Sequence, residues 1–227
     1  MKPFKFFSIP LVLCVLFCGC GTFPAEPTLA RERIEWCDIW FTDAEKEERP
    51  RVLLIGDSIV RGYFGPVEKA LGDMAYCGRL TTSRSICDPV FFQELRLVLS
   101  QYKFDVIHFN NGLHGWGYTE EAYAAAFDKF LRVLREESQG AQLIWASTTP
   151  VQPGSGMGER QGRVAKRNSI ASERVAKAKI PTTDLNARSL EHPEHFSKDG
   201  VHFSAQGKDV QSKAVAKAIG DALSARK

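Results

Sequence analysis

Three short runs in this chain hold side chains that can move protons or stabilise charge: Gly56-Asp57-Ser58, Asn110-Asn111-Gly112-Leu113-His114 and Asp199-Gly200-Val201-His202. A serine hydroxyl is a weak nucleophile until a base removes its proton. A place at a helix N-terminus exposes it and sets amide dipoles around developing negative charge. Ser58 suits that place. Histidine titrates near neutral pH, so His202 can take the proton of Ser58 and return it to a leaving alcohol. Asp199, three residues earlier, can accept the other ring N–H and fix the tautomer. Asp57 is read as structural, holding the turn. His108 falls inside an apolar run and is expected to be packed core, whereas His192 and His195 either line a cleft or face solvent.

For these runs to act together, the elements between them must carry them to one edge. Residues 51–55 form a short apolar run closed by Gly56, which suits a buried parallel strand. Further strands are expected at 74–80, 104–110, 141–147 and 181–185. Helices are expected at 58–71, 90–102, 119–138, 163–179 and 204–225. Phe91, Leu95, Val98 and Leu99 repeat at helical spacing, and so do Tyr123, Phe127, Phe130, Leu131 and Leu134. Residues 151–160, rich in Gly and Pro, read as a mobile loop. Lys166-Arg167-Asn168 is assigned to the surface. Strands alternating with long helices imply a parallel sheet covered on both faces, with functional groups at the carboxyl ends of the strands.

The chain has 227 residues with 44% hydrophobic content and 30 Lys+Arg against 27 Asp+Glu, which excludes a disordered chain and the basic footprint nucleic acid requires. Lys2 and Lys5 precede an apolar run from Phe6 to Phe17, and small Gly19 precedes Cys20: a signal peptide over 1–19. The Phe17-Cys18-Gly19-Cys20 run resembles a bacterial lipobox, which implies acylation at Cys20, with Phe17 and Cys18 departing from the usual aliphatic and small residues. Residues 20–50 read as a tether and an arm that packs Trp36, Trp40 and Phe41 onto the domain. Cys77 and Cys87 can close a short loop by a disulfide in an exported protein. No Cys/His spacing suits a structural zinc site, and neither a metal nor a cofactor is expected.

The order and placement of the three runs resemble the SGNH hydrolases, also called GDSL-type esterases, over roughly residues 51–225. In that family a G-D-S turn carries the nucleophile and a D-x-x-H motif before the last helix carries the acid and base. The resemblance implies a domain over 51–227 with a three-layer α/β/α, flavodoxin-like sandwich and a central parallel sheet. It implies Ser58, His202 and Asp199 as the catalytic set. The family's third block, G-x-N-D, supplies an Asn amide to the oxyanion; here Asn110 is preferred over Asn111 for that role. His114 and Trp116, with Asn111, extend the cleft for substrate. A backbone donor from the second block falls to Ser83 or Gly78. Arg79 and Arg84 are read as solvated, contact with an anionic substrate being the alternative.

These features imply an exported serine esterase that acts on a small acyl ester, such as an O-acetyl group on a carbohydrate, and is held at the cell envelope through Cys20. The competing reading is a non-catalytic envelope lipoprotein that binds carbohydrate or a partner on the same fold. A flavin binder lacks the Gly/Ser/Thr phosphate loop after the first strand.

Overall fold

The computed structural model describes residues 29–226. The signal segment, Cys20 and the first part of the tether lie outside the described residues. Six strands form one sheet: β1 (Cys37–Phe41), β2 (Arg51–Gly56), β3 (Tyr76–Thr82), β4 (Val106–Phe109), β5 (Gln142–Ala146) and β6 (Thr182–Thr183). Their order is β1-β3-β2-β4-β5-β6. The five strands β2 to β6 are mutually parallel, as expected. The sheet is mixed, however, because β1 joins β3 antiparallel, from Cys37 opposite Thr82 to Phe41 opposite Gly78. The arm therefore does more than pack aromatics: Ile39 and Phe41 point to the core and Trp40 points to solvent, the alternation of an edge strand.

Successive residues of a strand face opposite sides, so each buried strand feeds two cores. Val52 and Leu54 of β2 pack with α1 (Ser58–Leu71) and α6 (Ala205–Ser224). Leu53 and Ile55 pack with α2 (Pro89–Leu99), α3 (Glu120–Glu137) and part of α4 (Gln161–Lys177). The result is the three-layer α/β/α sandwich. In the second core the Phe130 ring meets Phe91 and Phe109 edge-on at 5.2 and 5.3 Å, a favoured aromatic geometry. The sheet also explains why Cys77 and Cys87 are both free thiols: Cys77 packs in the first core and Cys87 against the second, on opposite faces.

Helix starts are set by side-chain caps. Asp57, Asp88, Thr119 and Ser204 each accept an early amide of the helix that follows, at α1, α2, α3 and α6 respectively. Asp184 does the same for a short α5 (Leu185–Leu190), accepting the Ala187 amide at 3.0 Å. That cap ends β6 after two residues, short of the strand expected over 181–185. The Gly/Pro-rich segment holds a short 3₁₀ turn, Gly158–Arg160, just before α4. Among the described residues, no helix is long and apolar enough to cross a membrane.

His108 lies wholly inside, in β4, as expected, with Nε2 3.2 Å from Thr183 Oγ1. Burial pushes its imidazole down to about 3 from the usual 6.5. Between those values the unfolded chain binds a proton that the folded chain does not, so this group's contribution is lost as pH falls below about 6.5. One such proton is worth up to about 1.4 kcal/mol per pH unit. In His108→Leu the decline of urea-unfolding free energy between pH 6 and 4 is expected to be shallower than in the parent by that amount.

Candidate active site

β2 delivers Gly56, Asp57 and Ser58 to the carboxyl edge of the sheet, where the chain turns straight into α1. A Cβ on Gly56 would lie 2.2 Å from Val60 Cγ2, so only glycine fits this tight entry. Asp57 is fully buried, and Oδ1 accepts the Ile59 amide at 2.9 Å. Burial raises its carboxyl above the usual range, while the charges of His114 and His202 and the Ile59 amide pull the other way. Its part is to hold the turn, which leaves Ser58 half-exposed at the first position of the helix.

The partner loop is equally constrained. Phe196 bridges Phe203, their rings 4.5 Å apart, and the Ser197 amide donates to the His202 carbonyl at 2.7 Å. Gly200, with φ +67, makes the bend between them. Asp199 Oδ1 accepts the amides of Val201 and His202 at 3.0 and 2.9 Å, and Oδ2 lies 2.6 Å from His202 Nδ1. His202 Nε2 lies 2.8 Å from Ser58 Oγ. Burial is the largest single influence on the Asp199 carboxyl and raises it, but the Val201 amide and the His202 ring, amide and charge together outweigh it and hold the group at about 2. Asp199 is thus ionised throughout the neutral range and accepts from Nδ1–H, leaving the Nε2 lone pair facing the hydroxyl. This chain of three groups can draw the proton from Ser58 as its oxygen forms a bond.

The loop after β4 differs from expectation. Asn110 Nδ2 donates to the Ala146 carbonyl at 2.7 Å and to Thr148 Oγ1 at 3.2 Å, so the amide preferred for the oxyanion is occupied within the fold. Asn111 is likewise engaged, accepting the Ile86 amide and donating to the Arg84 carbonyl. The two proposed backbone donors are also engaged. Gly78 lies in mid-β3, between Phe41 and Leu53, and the Ser83 amide donates to Trp36 O at 3.0 Å. Arg79 and Arg84 are ion-paired rather than solvated, Arg79 with Asp38 and Arg84 with Glu35, Asp88 and Glu94.

Arg167 corrects a further assignment. It is fully buried, not at the surface, and donates to the carbonyls of Gly112, His114 and Gly115 at 3.0, 2.7 and 3.1 Å. One guanidinium therefore fixes three carbonyls of the loop, a use for which its forked donors are suited. Helical spacing is the signal that could have found it: Val164, Arg167, Ala171 and Val175 share one face of α4 and are all buried. The Trp116 ring is faced by the guanidinium groups of Arg160, Arg163 and Arg167. His114 Nδ1 meets Glu32 Oε2 at 2.9 Å, and Glu32 Oε1 accepts the Gly115 amide at 2.8 Å. Glu32 lies in the arm, where no motif marks it.

A hollow of about 130 Å³ adjoins the serine, lined by Ser58, Ile59, Gly62, Ser197, His202 and Phe203, with Lys208 and Gln211 of α6. A larger one of about 720 Å³ lies at the other end of the sheet, around Gln142–Ile144 and Ile180–Thr182, away from the serine. Among the described residues, His192, Glu194 and His195 are near enough together to share a metal ion; they bond to one another, at 3.1 and 3.5 Å to Glu194 Oε1.

No protein-family model matches the chain, and no curated protein matches its sequence. Solved structures do match in fold. An acetyl xylan esterase, AlAXEase, superposes with a TM-score of 0.63 at 18% identity, over 74% of this chain and 99% of the other. The lipase/acylhydrolase of Enterococcus faecalis gives 0.61 at 18% identity over 75% and 95%. The catalytic domain of the Streptococcus pneumoniae peptidoglycan O-acetyltransferase A gives 0.57 at 20% identity over 78% and 96%. The fold of this chain is that of the SGNH hydrolases, and at these identities the likeness is one of fold.

Arg167→Met keeps the bulk of the side chain but leaves three loop carbonyls without their donor. A loss of about 3 kcal/mol in urea unfolding is expected, with faster hydrogen exchange over residues 112–116.

Proposed function

We propose that this chain, folded as the SGNH hydrolases are, is an exported serine esterase that cleaves a small acyl ester, with O-acetyl groups on a carbohydrate as the substrate class. The observation that carries this reading is the run of contacts from Asp199 through His202 to Ser58, at 2.6 and 2.8 Å. In it Ser58 is the nucleophile, His202 passes the proton from the hydroxyl to the leaving alcohol, and Asp199 orients the ring. An acyl-serine forms and water releases it. The small hollow beside Ser58 favours a short acyl group, and two of the structures of like fold carry names tied to acetyl groups on polysaccharides. The basic and apolar run before Cys20 supports export and a lipid anchor at that residue.

A fluorophosphonate is expected to add once to the soluble protein from residue 21 onward and not at all to Ser58→Ala, read by intact mass. Asp199→Asn is expected to lower kcat on 4-nitrophenyl acetate by about 10⁴-fold. Acetate release from acetylated xylan and from O-acetylated peptidoglycan then separates the substrates. A folded protein that neither labels nor hydrolyses would favour the binding module instead. For the anchor, metabolic labelling of the full chain with a palmitate analogue is expected and should vanish in Cys20→Ala.

A further inference from the structure

In the esterase reading, on which this inference rests, a negative oxygen forms on the substrate and needs donors. When Ser58 attacks, the Oγ–C bond forms, the carbonyl electron pair moves onto oxygen, and the hydroxyl proton passes to His202 Nε2. Collapse re-forms the carbonyl and breaks the bond to the leaving oxygen, which takes that proton. Donors preset around the oxygen supply most of the rate in such steps. The Ser58 amide is one: as the first of α1 it has no intrahelical acceptor. The side-chain amides of Asn110 and Asn111 and the backbone amide of Ser83 are already engaged.

The remaining polar ring on the same loop is His114. Its Nδ1 is held by Glu32, its Nε2 makes no hydrogen bond among the described residues, and the side chain keeps 19% of its surface exposed. Its loop runs beside the nucleophile turn: the Asn110 amide donates to Ile55 O at 2.9 Å, and a Cβ on Gly56 would lie 3.7 Å from Asn110 O. Arg167 and the Gly115 amide fix the backbone on both sides of the ring. One hydrogen bond thus holds the imidazole itself and three others hold its loop and Glu32, with a single ring nitrogen unused.

A carboxylate on Nδ1 keeps a proton there, so Nε2 donates only when the ring is charged. Burial would push His114 down, but the Glu32 hydrogen bond and the charges of Asp57 and Glu32 outweigh it, with Arg167 opposing, and the ring holds its proton more tightly than an ordinary histidine. Glu32 shifts down in concert: burial raises it, and His114 and the Gly115 amide more than compensate. The groups facing the ring are Glu32 from the arm, Asp57 from the β2–α1 turn and Arg167 from α4, with Arg160 near Glu32.

We propose that the Nε2–H of His114 donates to the oxyanion formed on Ser58 attack, and that Glu32 of the N-terminal arm is the positioning residue that holds this ring by Nδ1 in that orientation. Kinetics of 4-nitrophenyl acetate hydrolysis, with fluorophosphonate mass labelling of Ser58 in each variant, test it. His114→Ala is expected to lower kcat about 10²–10³-fold with KM little changed. His114→Asn, which restores an uncharged N–H donor, is expected to recover part of that loss and to flatten the alkaline limb of the pH profile. Glu32→Gln is expected to lower kcat about 10-fold at pH 8 and to move the alkaline limb to lower pH, because the ring loses its counter-charge. Wild-type kcat in both His114 variants, equal losses in both, or an unmoved pH profile in Glu32→Gln would overturn the inference while labelling of Ser58 still upheld the esterase. Absence of labelling and hydrolysis in the parent protein would overturn the esterase reading itself.

Discussion

The hydrogen bond between Ser58 and His202 joins residues 144 positions apart, and it exists only while α1 and α6 stay packed side by side on one face of the sheet. Ser58 opens α1, and His202 stands three residues before the first residue of α6. A slide of about an ångström between these helices would take the pair out of hydrogen-bond range. The first core supplies the resistance. Val60, Tyr63, Phe64 and Val67 share one cluster with Val215, Ala216 and Ile219, over Val52 and Leu54 of β2. Close-packed interiors have discrete arrangements rather than soft ones, so burial far from the chemistry becomes precision at it. The caps at Asp57 and Ser204 set where each helix begins, and hence where the two functional groups stand.

The other wall of the cleft is held by polar groups instead. The loop from Gly112 to Gly115 buries carbonyls that no strand or helix satisfies, and Arg167 answers three of them from α4. Burial disfavours the charged form of that guanidinium, and the charge of Arg163 does so as well, against help from Tyr123 and Glu120. A buried cation is a costly strut, retained here where backbone must leave a strand end and present a side chain. Glu32 completes the frame from the opposite side, through the His114 ring and the Gly115 amide. The two walls thus follow different physics, apolar interlock on one side and satisfied hydrogen bonds on the other.

What the sequence disclosed follows the same division. Strand and helix periods were plain wherever a segment had one buried face, so β2, β4, β5 and the five long helices stood near their expected places, and with them the turn of Ser58 and the Asp199-Gly200-Val201-His202 loop. Residues whose roles depend on hydrogen-bond partners were hidden, because partners are a matter of three-dimensional neighbours. Asn110 looked like a donor by its place after a strand, yet its amide turns to Ala146 and Thr148. Arg167 looked like surface because two polar neighbours, Lys166 and Asn168, masked its place on the apolar stripe of α4. β1 reads as arm in the sequence, since five residues before a charged stretch carry little pattern, although Ile39 and Phe41 alternate with Trp40. Glu32 carries no local signal at all; its partner lies 82 residues away.

With a lipid at Cys20, the arm would also fix where the molecule can work. Residues 29–36 run along the carboxyl edge of the sheet, with Ala30 bonded to Tyr118 and Glu32 to the loop after β4, so the chain enters the fold at the mouth of the cleft. Nine residue steps separate Cys20 from Leu29, at most about 30 Å of extended chain. Anchoring at Cys20 would therefore confine the cleft to a shell of that depth above the bilayer. Polymer within the shell would meet it at a high effective concentration, and polymer beyond it would not be reached.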